Sequence, residues 1–182
     1  MRKILLLAFF LTNAYSVVAQ SAPYWQQEVD YKMEVFMDVK HFQYKGTQEL
    51  VYTNNSLDTL KKVYYHLYNN AFQPGSEMAI RAENIKDADA RMVKKTKVDG
   101  VEVKENRIEN LKPNEIGYLK ISNFKQDGVA ARTKTIGTIL EVVLAKPILP
   151  NSKTTFTLNF DGQVPVQIRR SGRNNAEGVA LS

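Results

Sequence analysis

The sequence predicts a mainly β protein, an antiparallel sandwich or curved sheet carrying one or two short helical inserts. Three observations predict it: unbroken alternation of apolar and polar residues over 29–39, a second alternating run over 154–160, and turn-forming clusters between short runs throughout. The 182 residues are 43% hydrophobic, 24% charged and 10% aromatic, the mix of one ordinary globular domain rather than a disordered or collagen-like chain. No internal repeat or low-complexity tract interrupts it.

Taken in order, Val29, Tyr31, Met33, Val35, Met37 and Val39 fall on one side of the first strand, opposite Glu28, Asp30, Lys32, Glu34 and Asp38. That is the pattern of a half-buried strand, so Val29, Met33 and Val35 are expected in the core together with Phe156 and Leu158. A second run through Phe42, Tyr44, Leu50 and Tyr52 follows the short connection at Lys40-His41 and is expected to pair with the first as a hairpin, with Gly46 a candidate bulge. After the turn Asn54-Asn55-Ser56-Leu57-Asp58, residues 60–68 are apolar or aromatic on both faces. This reads as a central strand, or as one whose second face meets another part of the protein.

Pro74-Gly75-Ser76 breaks the strand pattern, and Ser76 can cap a helix whose apolar positions Met78, Ala82, Ile85, Ala88 and Met92 recur at spacings of three and four. Val98-Asp99-Gly100-Val101 reads as a tight turn, and residues 108–113 as a helical turn stopped by Pro113. Strands resume over 116–124, 139–144 and 154–160. From Gln163 the chain turns polar and basic, then Val179-Ala180-Leu181-Ser182 starts an apolar run that stops as if a strand were cut through.

At the other end, Arg2 and Lys3, the apolar residues 4–11 and the small residues Val17-Val18-Ala19 form the three regions of an export signal, with cleavage expected after Ala19. The apolar run is too short for a permanent membrane span, so an exported protein of the periplasm or exterior is expected. Removal of the two cations leaves 23 Lys and Arg against 19 acids, a net charge of +4. The expected division is a signal over 1–19, a β-domain over 20–166, and a basic loop with the start of a truncated strand over 167–182.

With no cysteine, disulfides, thiolate metal sites, cysteine nucleophiles and an amino-terminal lipid anchor on cysteine are all excluded. The two histidines, His41 in a turn and His66 in a strand, share no helical face and do not form the H-E-x-x-H pattern of a zinc hydrolase. Arg170-Ser171-Gly172 lacks the leading glycine of a nucleophile elbow, and no phosphate-binding glycine loop is present. Arg169, Arg170 and Arg173 are candidates to clamp a carboxylate or phosphate through bidentate guanidinium forks, although a solvated loop or internal ion pairs is the stronger reading of such a run. The basic residues are not interleaved with aromatics in a nucleic-acid-binding module, so no nucleic-acid partner is expected. Tyr64, Tyr65 and Tyr68 could stack on a carbohydrate but are better read as packing residues.

Five strings carry more specific information: Trp25-Gln26-Gln27-Glu28-Val29-Asp30-Tyr31; Tyr52-Thr53-Asn54-Asn55-Ser56-Leu57-Asp58-Thr59-Leu60; Tyr65-His66-Leu67-Tyr68-Asn69-Asn70-Ala71-Phe72; Gly137-Thr138-Ile139-Leu140-Glu141-Val142; and the stretch from Phe160-Asp161-Gly162-Gln163 through Arg173. Together they resemble the amino-terminal part of exported zinc aminopeptidases of the membrane alanyl aminopeptidase, or aminopeptidase N-like, family in its Bacteroidetes form. The resemblance implies a saddle-like β-domain that packs on a thermolysin-like catalytic domain of the same polypeptide. It also implies that the G-x-M-E-N segment, the H-E-x-x-H zinc helix and the distant glutamate ligand come later in the chain, and a cleft-facing glutamine just past Ser182. On that reading this chain holds no zinc, no other cofactor and no catalytic residue, and the full-length form would take zinc and peptide substrates. Gln167, Arg169, Arg170 and Arg173 become candidates for the interface or cleft side. The alternative is a free-standing exported β-sandwich that acts as a binding or adhesion module.

Overall fold

Period-two alternation is realised as long antiparallel strands in the computed structural model, which describes residues 24–86, 89–168, 172–175 and 178–180. In chain order the strands are β1 (Glu28–Asp38), β2 (Gln43–Asn54), β3 (Leu60–His66), β4 (Val93–Val98), β5 (Val101–Asn106), β6 (Tyr118–Gln126), β7 (Val129–Ala130), β8 (Arg132–Ile136), β9 (Ile139–Ile148), β10 (Ser152–Gln163), β11 (Gly172–Asn175) and β12 (Gly178–Ala180). A 3-10 turn (Tyr68–Phe72) and one helix, α1 (Glu77–Asn84), lie between β3 and β4. The protein is mainly β, built of antiparallel sheets, and no sheet closes into a barrel. Among the described residues no helix is long and apolar enough to cross a membrane.

A five-stranded sheet in the order β1-β2-β10-β6-β7 faces a three-stranded sheet in the order β3-β9-β8. Between them Leu50, Phe124, Phe156, Leu158 and Phe160 of the larger sheet meet Leu140, Val142, Leu144 and Ile148 of the smaller one, all buried. Phe156 touches both Tyr52 and Phe124 ring to ring, at centroid distances of 6.4 and 5.4 Å. A second cluster forms where Ala79 and Ala82 of α1 pack on Met92, Val93, Ile108 and Ile168. Ile168 is fully buried there, so the packing of the β-domain continues past residue 166.

Buried amides join the layers. Asn54, at the end of β2 and without solvent exposure, donates through Nδ2 to the carbonyls of Asp58, Ile148 and Leu149, and its Oδ1 accepts from the Ser56 hydroxyl at 2.7 Å. One side chain thereby closes the 54–58 turn and ties the end of β9 to the larger sheet. Asn70 accepts from the Leu119 amide at 2.8 Å, and Gln163 donates to the carbonyls of Pro113 and Ile116. Each of these satisfies backbone groups that a loop would otherwise bury unpaired.

Several sequence expectations change. β1 pairs with β2 in unbroken register, so Gly46 marks no bulge. A side chain there would run into the Glu34 carbonyl and the Phe160 ring, and that crowding is what requires glycine. Val29, Met33 and Val35 are 40%, 52% and 60% exposed, because β1 is the outer strand and the narrower sheet does not reach across it. Phe156 and Leu158 are buried as expected. β3 is an edge strand of its sheet, with β9 in the centre. Ser76 does cap α1, accepting from the Ala79 amide at 3.2 Å. The helix ends at Asn84, and Met92 reaches its buried position from the turn just before β4 instead. Ala88 lies outside the described residues. The turn at Asp99-Gly100 forms with both residues at positive φ and joins the Lys-rich strands β4 and β5. Residues 108–113 make a turn, closed by the Leu111 amide on the Ile108 carbonyl, and no helix.

Two predictions follow from the packing. Phe156→Ala should lower unfolding free energy by about 3–5 kcal/mol, as for a large aromatic removed from a core, whereas Val35→Ala should cost below about 0.5 kcal/mol, as for an exposed site. Denaturant titration of both variants measures the difference. Asp127, in the β6–β7 turn, accepts from the Thr155 amide and the Thr154 hydroxyl and lies 3.1 Å from Lys146. These bonds, the Thr155 amide first, hold its carboxyl below the ordinary value of 3.8. Its stabilisation is therefore complete above the unfolded-state value and lost as pH falls through the lower folded value. Asp127→Asn should lower stability at pH 7 and shrink the loss on acidification below about pH 4, read from thermal midpoints across a pH series.

Candidate functional site

An open apolar face and an adjoining groove of about 600 Å³ follow from the unequal widths of the two sheets. The odd residues of β1, which the alternation directs to one side, supply Tyr31, Met33, Val35 and Met37 to one wall. Tyr64, Tyr65, His66 and Tyr68 supply the opposite wall, and the floor is Tyr44, Leu158 and Phe160. Tyr68 is 69% exposed and stacks on the His66 imidazole at 5.2 Å with the rings 8° from parallel. The doubled apolar pattern of residues 60–68 thus has a physical reason: Val63 and Tyr65 pack on the core, with Tyr65 also reaching the groove, and Tyr64, His66 and Tyr68 line the groove from the other side.

Two polar atoms sit within these walls without a protein partner, Gln48 Nε2 and Tyr65 Oη. Tyr65 packs edge-on against Phe124 at 5.5 Å, and burial raises its hydroxyl above the ordinary tyrosine range, so it stays protonated. The neighbouring Tyr44 hydroxyl, also raised by burial, accepts from Asn69 Nδ2 at 3.0 Å. The groove therefore offers aromatic and apolar faces, with the two unpartnered donors buried beneath its surface, and it suits apolar or aromatic groups.

The residues singled out in the sequence take other places. Gln167 is half-buried, and its amide donates to the Arg173 carbonyl at 2.9 Å. The Arg173 guanidinium lies 4.4 Å from the Phe42 ring centre and donates to the Asn114 carbonyl at 2.8 Å, while its buried Nε has no protein partner. Gln167 and Arg173 are brought together by a short parallel bridge between Val166 and Arg173, away from the groove. Arg169 and Arg170 lie outside the described residues. His41 Nδ1 is 2.7 Å from the Asp38 carboxylate, which the ring and the turn amides hold below the ordinary range, and His66 is occupied in stacking. Among the described residues no group of three or more His, Asp or Glu side chains is placed to hold a metal ion. Sequence reasoning missed the groove because alternation reports that a face is apolar and not what covers it. The aromatic second face of β3 was the one signal that pointed to it.

No protein-family profile matches the chain, and no curated protein matches it. Among solved structures it is similar to a two-domain M1 zinc metallopeptidase bound to L-tryptophan, at 12% identity and a TM-score of 0.44, over 84% of this chain and 23% of that one. An M1 zinc metallopeptidase from Deinococcus radiodurans aligns at 10% identity and a TM-score of 0.46, over 82% of this chain and 24% of that one. A form of that enzyme bound to a Tyr-Ser-Ala substrate aligns at 11% identity and 0.43, over 78% and 21%. The chain spans less than a quarter of the length of each of these structures.

The unpartnered hydroxyl gives the groove a test. Tyr65→Phe should leave the stability of the chain unchanged or raise it by about 1 kcal/mol, since it removes a buried donor that has no acceptor. Binding of a hydrophobic dye should persist in that variant and fall in Met33→Asp, which places charge in the wall. Equal dye binding by wild type and Met33→Asp would show that the groove is not the exposed apolar surface.

Proposed function

We propose that the chain is the non-catalytic amino-terminal β-domain of an exported zinc aminopeptidase of the membrane alanyl aminopeptidase family, of the Bacteroidetes type. The observation that carries this reading is the place of the resembling strings in the structure. Asn54, Ser56, Asn70, Gly162 and Gln163 all belong to them: Asn54 and Ser56 close a turn, Asn70 and Gln163 bond neighbouring loop and strand backbone, and Gly162 leaves room for the Tyr44 ring. The strings thus build a frame, which is the role expected of a β-domain that supports a separate catalytic domain. The described residues do not furnish a zinc ligand set, so zinc would be held by the later part of the full-length polypeptide, and no catalytic step is assigned to this chain.

In this reading residues 1–19 direct export to the periplasm or exterior, and residues 20–166 form the frame. Residues 167–182, with Gln167, Arg169, Arg170 and Arg173, lie toward the catalytic domain and the peptide-binding cleft. The second reading, a free-standing binding or adhesion module, is favoured by the exposed aromatic and apolar groove. Detection of the native polypeptide in its source cells with an antibody against this chain separates the two. A species larger than 20.7 kDa that releases amino-terminal residues from peptides, and loses that activity to a chelator until zinc is restored, is the expected result. A native species that ends at Ser182 and carries no such activity would overturn the aminopeptidase reading in favour of the module.

A further inference from the structure

β1 leaves one edge of the larger sheet open over eleven residues. Its register with β2 is unbroken, it contains no proline, and among the described residues no strand pairs with its outer side. Sheets ordinarily protect such an edge by shortening it, bulging it, interrupting it with proline, covering it or charging it. Of these β1 has only charge, and its charged face is arranged in a way that accepts one partner in particular. We propose that β1 is the interface to a second copy of this chain, pairing antiparallel with its own counterpart about a two-fold axis at Met33, so that two five-stranded sheets become one.

The register follows from the charges. With Met33 on the axis, residue 32 of one copy faces residue 34 of the other, so Lys32 meets Glu34 twice, and Tyr31 lies against Val35 and Val29 against Met37 on the apolar face. All eleven residues pair. The remaining like-charged contact, Glu28 against Asp38, falls at the two ends, where Asp38 is already held by the His41 ring and by the amides of Lys40 and His41. Sliding by two residues one way sets Lys32 against itself and Asp30 against Glu34. Sliding the other way sets Glu34 against itself and Asp30 against Asp38. Like charges directly opposite destabilise a pair of strands, so both slips are disfavoured. A slip of one residue would set the apolar face of one copy alongside the charged face of the other. In the favoured register the exposed Tyr31, Met33 and Val35 of both copies form one continuous stripe, which reduces the apolar surface each leaves in water.

The chain has no cysteine, so single cysteines report the register without background. Opposed residues of an antiparallel pair are about 4.5–5.5 Å apart at Cα, within the span of a disulfide. On mild oxidation Met33→Cys should give a covalent dimer, while Val29→Cys should crosslink only when mixed with Met37→Cys. Sedimentation of the full chain over a concentration series should show a monomer–dimer equilibrium. Lys32→Glu should weaken it about tenfold, and Lys32→Glu combined with Glu34→Lys should restore it. Val29, Lys32, Met33 and Glu34 are solvent-exposed and Met37 is half-buried, and circular dichroism checks that each variant keeps its β signal. A monomer at every concentration, self-crosslinking of Val29→Cys as extensive as that of Met33→Cys, or a Lys32→Glu variant that dimerises as tightly as wild type would each overturn the proposal.

Discussion

The rest of the structure depends on one packing constraint, a five-stranded sheet covered by a three-stranded one. Phe156, Leu158 and Phe160 on β10 meet Leu140, Val142 and Leu144 on β9, and this contact holds the two layers together. Three strands cover the region of β2, β10 and β6 and no more, so the outermost strand of the wide sheet goes without a roof. Two features of the described surface follow from that mismatch, and the open sheet adds a third. The apolar side of β1 stays in water, β3 turns its second aromatic face to the resulting groove, and the outer edge of β1 keeps its backbone groups unpaired.

The mismatch also explains why buried amides carry so much of the joinery. A narrow sheet resting on a wide one makes few strand-to-strand connections at its ends, and the chain must cross between layers through loops. Asn54 meets that need at the β2 end by bonding three carbonyls from two separate segments, while Gln163 at the β10 end bonds the loop that enters β6 of its own sheet. Both sit at strand termini, where a planar amide can reach donors and acceptors that a hydroxyl could not span. Replacing Asn54 removes a turn and an inter-sheet tie at once, because the carbonyls it serves would be left buried and unpaired.

Much of this frame was legible in the residues. The antiparallel β class, the first hairpin, the Ser76 cap, the Asp99-Gly100 turn and the burial of Phe156 and Leu158 all follow from local periodicity and turn chemistry, which act over a few residues. The exposure of Val29, Met33 and Val35 was not legible, because alternation gives one face of a strand its chemistry and only the tertiary arrangement decides whether another layer covers it. β4 and β5 escaped notice for a related reason: Lys94, Lys95, Lys97 and Lys104 make a hairpin that is polar on both sides, so no period-two contrast marks it. The groove was half legible, through the aromatic second face of residues 60–68, while Gln48 and Tyr65, from different sheets, came together only through the tertiary arrangement.

A frame of this kind separates what a sequence advertises from what a surface does. The strings by which the chain resembles a family are dense in asparagine, glycine and glutamine because closing turns and crossing between layers constrains side-chain type closely at few positions. The exposed side of β1 needs only residues that are apolar and of suitable size, a requirement many sequences meet, so it leaves no comparable signature. Resemblance carried by the frame therefore bears on architecture, and interaction is governed by the uncovered strand, whose face can be covered by another domain while its edge pairs with a second copy. The two uses do not compete, since one engages the odd-numbered side chains and the other the main chain of the same outer strand.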